Sequence, residues 1–311
     1  MISVIIPCYN QAKFLADALK GLQSQTYSDW ECVIVDDGST DASADIARTY
    51  AAADNRIKLF SKENGGTATA RNMGLRNIHG DYVRFLDADD DLNKETLARQ
   101  VEYMEKNGLD ISATEWCYFI EKENHEIEYI PHSPMLSKVL FSFRFSLLTR
   151  WGLDFSIAQH ALMYRVEFLK KNHLFFDEKI RYREDWDFLI NASACHPIRV
   201  GFLHELEGAY YRKNPDGKTG SATKMSRGNF IYLQYKCRQV GLLDFLCLSY
   251  RLSCELFLLL GRVVKLRNIS ILSDLSILFG HWKAILLFVI CLLFLPLAIV
   301  HVVIRSIIEY K

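Results

Sequence analysis

No CxxC pair and no clustering of His with Cys at metal-ligating spacing occurs in this sequence, which leaves out a cysteine-built metal or redox motif. The eight cysteines, Cys8, Cys32, Cys117, Cys195, Cys237, Cys247, Cys254 and Cys291, therefore read as buried, reduced thiols of a cytosolic protein. An excess of either charge is missing too. The 37 Lys and Arg face 37 Asp and Glu, so the chain is neutral and lacks the basicity of a dedicated nucleic-acid binder. With 50% apolar and 13% aromatic residues it is not a disordered tail either. No internal repeat, low-complexity stretch or long charge run interrupts it. The opening MISVIIPCYN enters a strand-like pattern without the charged and cleavable hydrophobic regions of a secretion signal. At 311 residues the chain exceeds the size at which one core stops growing, so one large or two smaller folded units plus an appendage are expected.

The neutral total hides a split. Residues 229–311 hold nine Lys and Arg against four Asp and Glu and carry +5, which leaves −5 on residues 1–228. Within the basic part, residues 284–304, AILLFVICLLFLPLAIVHVVI, are 21 positions without a charged side chain, and His301 is their one strongly polar member. A helix rises about 1.5 Å per residue, so this run covers roughly 30 Å, the thickness of a bilayer core. It predicts one transmembrane helix with Pro296 as a tolerated kink; a buried core helix is the alternative, although soluble helices seldom stay apolar all round for so long. Upstream, residues 229–283 read as membrane-proximal amphipathic helices, apolar runs broken by Asp244, Arg251, Glu255 and Asp274. Arg262, Lys265, Arg267 and Lys283 precede the span while Arg305 and Lys311 follow it, a bias that puts the N-terminal side in the cytoplasm.

Residues 1–228 are expected to form one compact domain. Short apolar runs alternate there with helix-like stretches: strands over 2–7, 30–36, 56–61 and 82–87, helices over 11–25, from Ser39 or Thr40 to about 53, over 67–77 and over 94–107. This alternation predicts an α/β fold, a mostly parallel central sheet with helices on both faces. Ligands of such sheets bind at the carboxyl ends of the strands. The polar residues gather at those ends: Pro7-Cys8-Tyr9-Asn10, Asp36-Asp37-Gly38-Ser39, Glu63-Asn64-Gly65-Gly66 and Asp87-Ala88-Asp89-Asp90-Asp91. Carboxylates two apart on an extended segment, as at Asp87 and Asp89, point to the same side, and their repulsion is relieved by a divalent cation shared with a phosphate. Mg2+ or Mn2+ is the natural candidate. An Asp-rich solvated turn is the alternative.

The ordered set IIPCYN, VDDGSTD, ENGG followed by ARNMGL, and FLDADD resembles the inverting family 2 glycosyltransferases of GT-A fold, over roughly residues 1–215. The resemblance implies a nucleotide-sugar donor held by the half at 1–110. Pro7 and Tyr9 would line the base pocket, Asp37 would accept a hydrogen bond from a uracil N–H, and Arg71 would reach the nucleotide. Asp87 would contact the ribose, sugar or metal shell and Asp89 would ligate the metal, supported by Asp90. Asn10, Asp36, Asn64, Gly65 and Ala88 complete the nucleotide-sugar set. For Asp36 a turn cap, for Tyr9 core packing and for Gly65-Gly66 an ordinary tight turn stay open beside these roles.

An inverting transfer needs a general base for the acceptor hydroxyl. In RYREDWDFLINAS (181–193), Glu184-Asp185 begins an apolar-periodic stretch, so the pair is expected at a helix N-terminus, which favours negative charge. It matches the family's Glu-Asp motif after Phe176-Asp177-Glu178, in the acceptor half at 111–228. By that match Asp185 is the base and Glu184 orients it or the acceptor; the reverse assignment stays open. The segment at 210–223 resembles the mobile C-terminal loop of these enzymes, with Arg212, then Lys213 and Lys218, as diphosphate contacts, although it lacks a common His and 213–223 reads equally as a linker. His160 and Trp151 lie where acceptor contacts are found, with core packing the better reading of both.

The resulting expectation is a metal-dependent hexosyltransferase-type enzyme of the inner membrane, its catalytic domain cytoplasmic, that extends a lipid-linked or surface polysaccharide from a UDP-sugar. A non-catalytic nucleotide-sugar-binding membrane partner is the alternative, opposed by the intact Asp87, Asp89 and Asp185. A nucleotidyltransferase would need a glycine-rich loop after the first strand, and PCYNQAKF has no glycine. A processive, exporting synthase would need several spans and a Gln-x-x-Arg-Trp segment. The apolar stretches at 242–280 can pack against a second copy as well as against lipid, so a homo-oligomer stays open.

Overall fold

ISVIIPC and WECVIVD, two near-continuous apolar runs, become the neighbouring parallel strands β1 (Ile2–Cys8) and β2 (Trp30–Asp36). Strands covered by helices on both faces bury every side chain, which is why neither run alternates. The computed structural model describes residues 1–121, 126–130, 142–151, 157–213, 222–237, 239–241, 244–252 and 254–255. After β1 comes α1 (Leu15–Gln23), and after β2 come α2 (Ser43–Ala53), β3 (Ile57–Ser61), α3 (Thr67–Arg76) and β4 (Tyr82–Phe85). The chain continues through β5 (Asp91–Leu92), α4 (Thr96–Asn107), β6 (Ile111–Glu121), β7 (Ile127–Ile130) and α5 (Phe143–Arg150). Then follow β8 (Leu162–Arg165), α6 (Val166–Lys171), α7 (Glu184–Ser193), β9 (Val200–Arg212) and α8 (Ala222–Cys237).

The four strands and four helices expected in the first 107 residues are present, but α2 begins later than Ser39 or Thr40. Asn10 engages that segment: its N–H donates to Ser39 Oγ at 3.0 Å and its Oδ1 accepts from the Thr40 N–H at 2.8 Å, while Asp41 Oδ1 takes the Ser43 N–H at 2.9 Å. The sheet is mixed rather than mostly parallel. Its order is β3-β2-β1-β4-β8-β6-β9-β5, with β7 on β6; β1 pairs parallel with β2 and β4, β2 with β3 and β6 with β9, whereas β8, β7 and β5 pair antiparallel. Apolar runs specify strands without specifying their direction, so the reversal at β8 is a tertiary outcome.

Helices cover both faces. On one, α3 lies so close that a Cβ on Gly74 would stand 2.4 Å from Ile5 Cγ2, and Phe188 of α7 packs on Phe85 and Tyr164. On the other, Gln100 of α4 donates to the Ser112 and Ala161 carbonyls and accepts from Arg84, Gln25 just past α1 accepts from the Leu97 N–H of α4, and Tyr50 of α2 donates to the Ala16 carbonyl of α1. The described cysteines carry free thiols; Cys8, Cys32, Cys117, Cys237 and Cys254 are buried, and burial pushes the Cys8 and Cys117 thiols up to about 11.

The described residues divide into two compact units, one within Met1–Val139 and Ile157–Lys213, the other within Leu140–Ser156 and Asn214–Lys311. In the second, Leu147, Leu148, Trp151, Leu233, Leu248 and Leu252 form an apolar core around a buried ionic group. There Arg251 donates to the Trp151 carbonyl at 2.7 Å and pairs with Glu255, which also accepts from Asn229 at 2.8 Å. Arg144 pairs with Asp244. No helix among the described residues is long and apolar enough to cross a membrane, and residues 284–304 lie outside them, as does most of 229–283.

Candidate active site

Because β1, β2 and β4 run parallel, their carboxyl ends open onto one edge of the sheet, and the polar segments that follow them meet there. At the end of β1, Pro7 is half-buried; beyond it Tyr9 is 46% exposed and Asn10 takes a left-handed φ of +52° while binding the β2 loop. Asp36 Oδ1 accepts from the Ser39 N–H at 3.1 Å, a turn-capping geometry. Asp37 is 3% exposed and held from three sides: Oδ1 accepts from Lys62 Nζ at 2.6 Å and the Gly65 N–H at 3.0 Å, Oδ2 from the Gly66 N–H at 2.7 Å. The Asn64 amide donates to the Asp37 carbonyl at 2.9 Å. Gly66 turns this loop toward Asp37 with a φ of +95°, a conformation that a side chain would strain.

Arg71 stands in α3 with its guanidinium buried, Nη2 2.7 Å from Asp87 Oδ1 and Nη1 3.6 Å from Glu184 Oε1. Burial opposes its charge, yet Asp87, Glu184 and Asp185 outweigh that and raise its pKa. Its neighbour Asn72 makes a two-way bridge to Phe176, donating to the carbonyl at 2.9 Å and accepting from the N–H at 2.8 Å, and also donates to Glu178 Oε1 at 2.9 Å. Phe176 stacks on Phe188 of α7 with ring centroids 4.2 Å apart. Arg71 and Asn72 thus tie the strand-end carboxylates to the segment that leads into α7.

Ala88 is buried between Asp87 and Asp89. Burial, then the charges of Asp90 and Asp87, push the Asp89 carboxyl up to about 8. Asp90 is buried deeper, which raises its pKa against the pull of His160 and the Arg212 N–H. Its Oδ1 accepts from that N–H at 2.8 Å, and its Oδ2 lies 2.9 Å from His160 Nδ1. His160 is therefore a core residue behind the carboxylates, and Arg84 donates to its carbonyl. Arg212 is the last residue of β9 and not part of a loop; its Nε donates to the Asp89 carbonyl at 2.9 Å and its guanidinium lies over Phe14 and Phe119. Lys213 donates its N–H to the Phe119 carbonyl at 2.9 Å, Trp151 belongs to the second unit and Lys218 lies outside the described residues.

Among the described residues no three His, Cys, Asp or Glu side chains gather as a metal cage. The strand end instead offers two carboxylates, Asp87 and Asp89, the second pushed up to about 8 by burial and then by its neighbours' negative charge. Hard oxygen donors in that number fit Mg2+ or Mn2+, which keep waters and diphosphate oxygens at their other positions.

Glu184, Asp185 and Asp187 fill the first turn of α7, the end whose unpaired N–H groups favour negative charge. Arg183 precedes them in a left-handed conformation, and Arg181 Nη1 donates to the Gly65 carbonyl at 2.8 Å. The structure thereby joins the Gly65-Gly66 loop, the Asp87 corner and the start of α7 through Arg181 and Arg71. Lys62, Asn72 and Arg181 were not singled out from sequence. The position of Asn72 beside Arg71 in ARNMGL was a signal, but nothing local marks a partner 104 positions away.

The Glycosyl transferase family 2 model matches residues 3–173. The glycosyltransferase EpsJ of Bacillus subtilis is 33% identical over 242 residues, covering 76% of this chain and 68% of EpsJ, whereas the chain spans 31% of the length of two other relatives. S. aureus TarS 1–349 in complex with UDP-GlcNAc superposes with a TM-score of 0.59 at 24% identity, over 82% of this chain and 71% of that one. The mannosyltransferase PcManGT of Pyrobaculum calidifontis, in complex with GDP-Man and Mn2+, gives 0.59 at 17%, over 97% and 86%. At these identities the two structures establish the fold alone.

Proposed function

Because the chain belongs to glycosyl transferase family 2 and is a nucleotide-sugar glycosyltransferase, we propose that it is a metal-dependent inverting enzyme. Its donor is a UDP-sugar and its acceptor a hydroxyl of a lipid-linked or surface polysaccharide. The observation that carries this reading is the meeting of Asp37, Asp87 and Asp89 at one sheet edge with the acidic start of α7, joined by Arg71 and Arg181.

Pro7, Tyr9 and Asn10 flank the base, and Asp37 accepts from the uracil N–H once its contacts with Lys62 and the Gly65-Gly66 loop rearrange. Asp87 and Asp89 would hold a Mn2+ or Mg2+ ion, which when bound neutralises the charge that develops on the leaving diphosphate. Arg212 orients the Asp89 segment from β9 and supplies positive charge beside it. Asp185 takes the proton of the acceptor hydroxyl as that oxygen attacks the anomeric carbon opposite the departing UDP, and Glu184 orients the base. TarS in complex with UDP-GlcNAc supports the uridine donor, and PcManGT with GDP-Man and Mn2+ supports the cation. The charge-free run 284–304 supports attachment to the inner membrane with the catalytic unit on the cytoplasmic side, where a lipid carrier would confine the acceptor.

Purified protein with Mn2+ should release UDP from one of a panel of UDP-sugars when membrane lipid acceptors are added. Asp89→Ala and Asp185→Ala should abolish the release. No release by the parent chain, or release unchanged in both variants, refutes the reading. UDP binding without turnover favours the non-catalytic partner. Thermal stabilisation by GDP but not UDP refutes the uracil role of Asp37.

A further inference from the structure

We propose that Arg71 is a positioning residue that locks the donor-side carboxylate Asp87 to the base-bearing start of α7, and that it does not bind the nucleotide. This rests on the glycosyltransferase reading above. Side-chain exposure orders the three groups: Asp87 is 34% exposed, Glu184 14% and Arg71 3%. A ligand entering the site therefore meets the carboxylates, with the guanidinium behind them. The guanidinium is wedged against two aromatic faces, its centre 5.3 Å from the Phe176 ring and 6.0 Å from that of Phe85, and Asn72 fixes the Phe176 backbone on the same side. To reach a nucleotide it would have to leave both carboxylates and that cleft.

Its bonding is unsymmetrical. Nη2 makes a 2.7 Å bond to Asp87, while the buried Nη1 and Nε have no hydrogen-bond partner, and Nη1 lies 3.6 Å from Glu184 Oε1. Buried donors left in that state favour any movement that completes them. Closing the 3.6 Å gap by well under 1 Å brings Nη1 into hydrogen-bond range of Glu184. Donor engagement at Asp87 and placement of Asp185 are thus coupled through one rigid fork. A lysine cannot reproduce this, because its single ammonium is a point charge and not a two-pronged donor.

The test compares Arg71→Met, Arg71→Lys, Glu184→Gln and the double variant R71M/E184Q in the full chain. UDP affinity is measured by calorimetry, kcat and donor KM by UDP release, and Tm by thermal unfolding. Both Arg71 variants should lower kcat at least thirtyfold while UDP Kd and donor KM stay within threefold, and R71K should keep a Tm near that of the parent. The Tm loss of R71M/E184Q should be clearly smaller than the summed losses of its two parents. A tenfold weakening of UDP binding with kcat retained overturns the proposal in favour of a nucleotide ligand. A parallel fall of kcat, KM and Tm in R71K overturns it in favour of mere core packing. If the parent chain turns over no nucleotide sugar, the enzymatic reading fails by itself. The Tm cycle then decides alone, with additive losses overturning the Arg71–Glu184 link.

Discussion

Divalent-cation binding should weaken about tenfold for each pH unit below about 8, and Asp89 is the residue responsible. Its carboxyl is pushed up to about 8 by burial first and then by the charges of Asp90 and Asp87. At pH 6 about 1% of it is ionised, so a cation must displace a bound proton at a cost of about 2.7 kcal/mol, roughly a hundredfold in affinity. The same shift fixes the sign for the metal-free protein. An unfolded Asp titrates near about 3.9, so between about 4 and 8 Asp89 holds a proton in the folded chain that it lacks in the unfolded one, and its contribution to stability falls as pH rises through that window. Saturating Mn2+ should remove that contribution. The assay is calorimetric titration of Mn2+ into protein with a UDP-sugar, whose diphosphate diester does not titrate in this range, at pH 6.0 to 8.0 in two buffers of different ionisation enthalpy. The buffers report release of close to one proton per cation at the acid end. A pH-independent affinity with no proton release refutes the reasoning, and so does an Asp89→Asn variant that keeps the parent's slope.

Asp185→Asn should lower kcat by about 10²–10⁴-fold, the range for losing a general base, while UDP Kd by calorimetry stays within threefold; an active variant would exclude the base role. Asn72→Ala removes the two-way bridge to Phe176 and leaves its buried N–H and C=O unpaired, so urea unfolding should show a loss of about 2–4 kcal/mol. A loss below about 1 kcal/mol would mean that the 176–178 segment does not depend on α3. Gly74→Ala places a methyl 2.4 Å from Ile5 Cγ2 and should cost about 1–3 kcal/mol by overpacking, read in the same assay. Asp37→Ala frees Lys62 and the Gly65-Gly66 amides together, so it should lose UDP affinity more than tenfold and sensitise the loop at 62–66 to proteolysis. Unchanged UDP affinity would remove Asp37 from the base pocket.

The legible part of the fold was local. ISVIIPC and WECVIVD announce strands buried on both faces, and the alternation of apolar runs with helix-like stretches placed the helices after them to within a few positions. The two-residue β5 escaped because DDDL reads as an acidic turn; it pairs with Tyr210 and Ala209, more than a hundred positions further on, and local patterning carries no such information. The start of α2 was misplaced for a related reason. Ser39 and Thr40 are capable caps, but Asn10, at the end of another strand, engages them. In the site, the clustering of Asp37, Asp87 and Asp89 at one edge followed from parallel strands and could be read in advance. The loop character expected for Arg212 could not survive, because β9 extends through it to meet the Asp89-Asp90 backbone and carboxylate.

Ordered motifs at strand ends were enough to name the family and the class of chemistry, because a βα repeat carries its functional residues to the carboxyl edge wherever the sheet lies. They were not enough to say which charged group faces which. Arg71 reads from its motif as a nucleotide contact, and folding turns it toward Asp87 and Glu184. His160 reads as an acceptor contact or a core histidine, and folding seats it behind Asp90. Those outcomes depend on the antiparallel turn of the sheet at β8 and on the Asn72 bridge to Phe176, which join segments far apart in the chain. Periodicity records what each stretch of chain becomes. Partners of buried charges are chosen by packing across the whole sheet, where an unpaired group costs more than any local preference can offset.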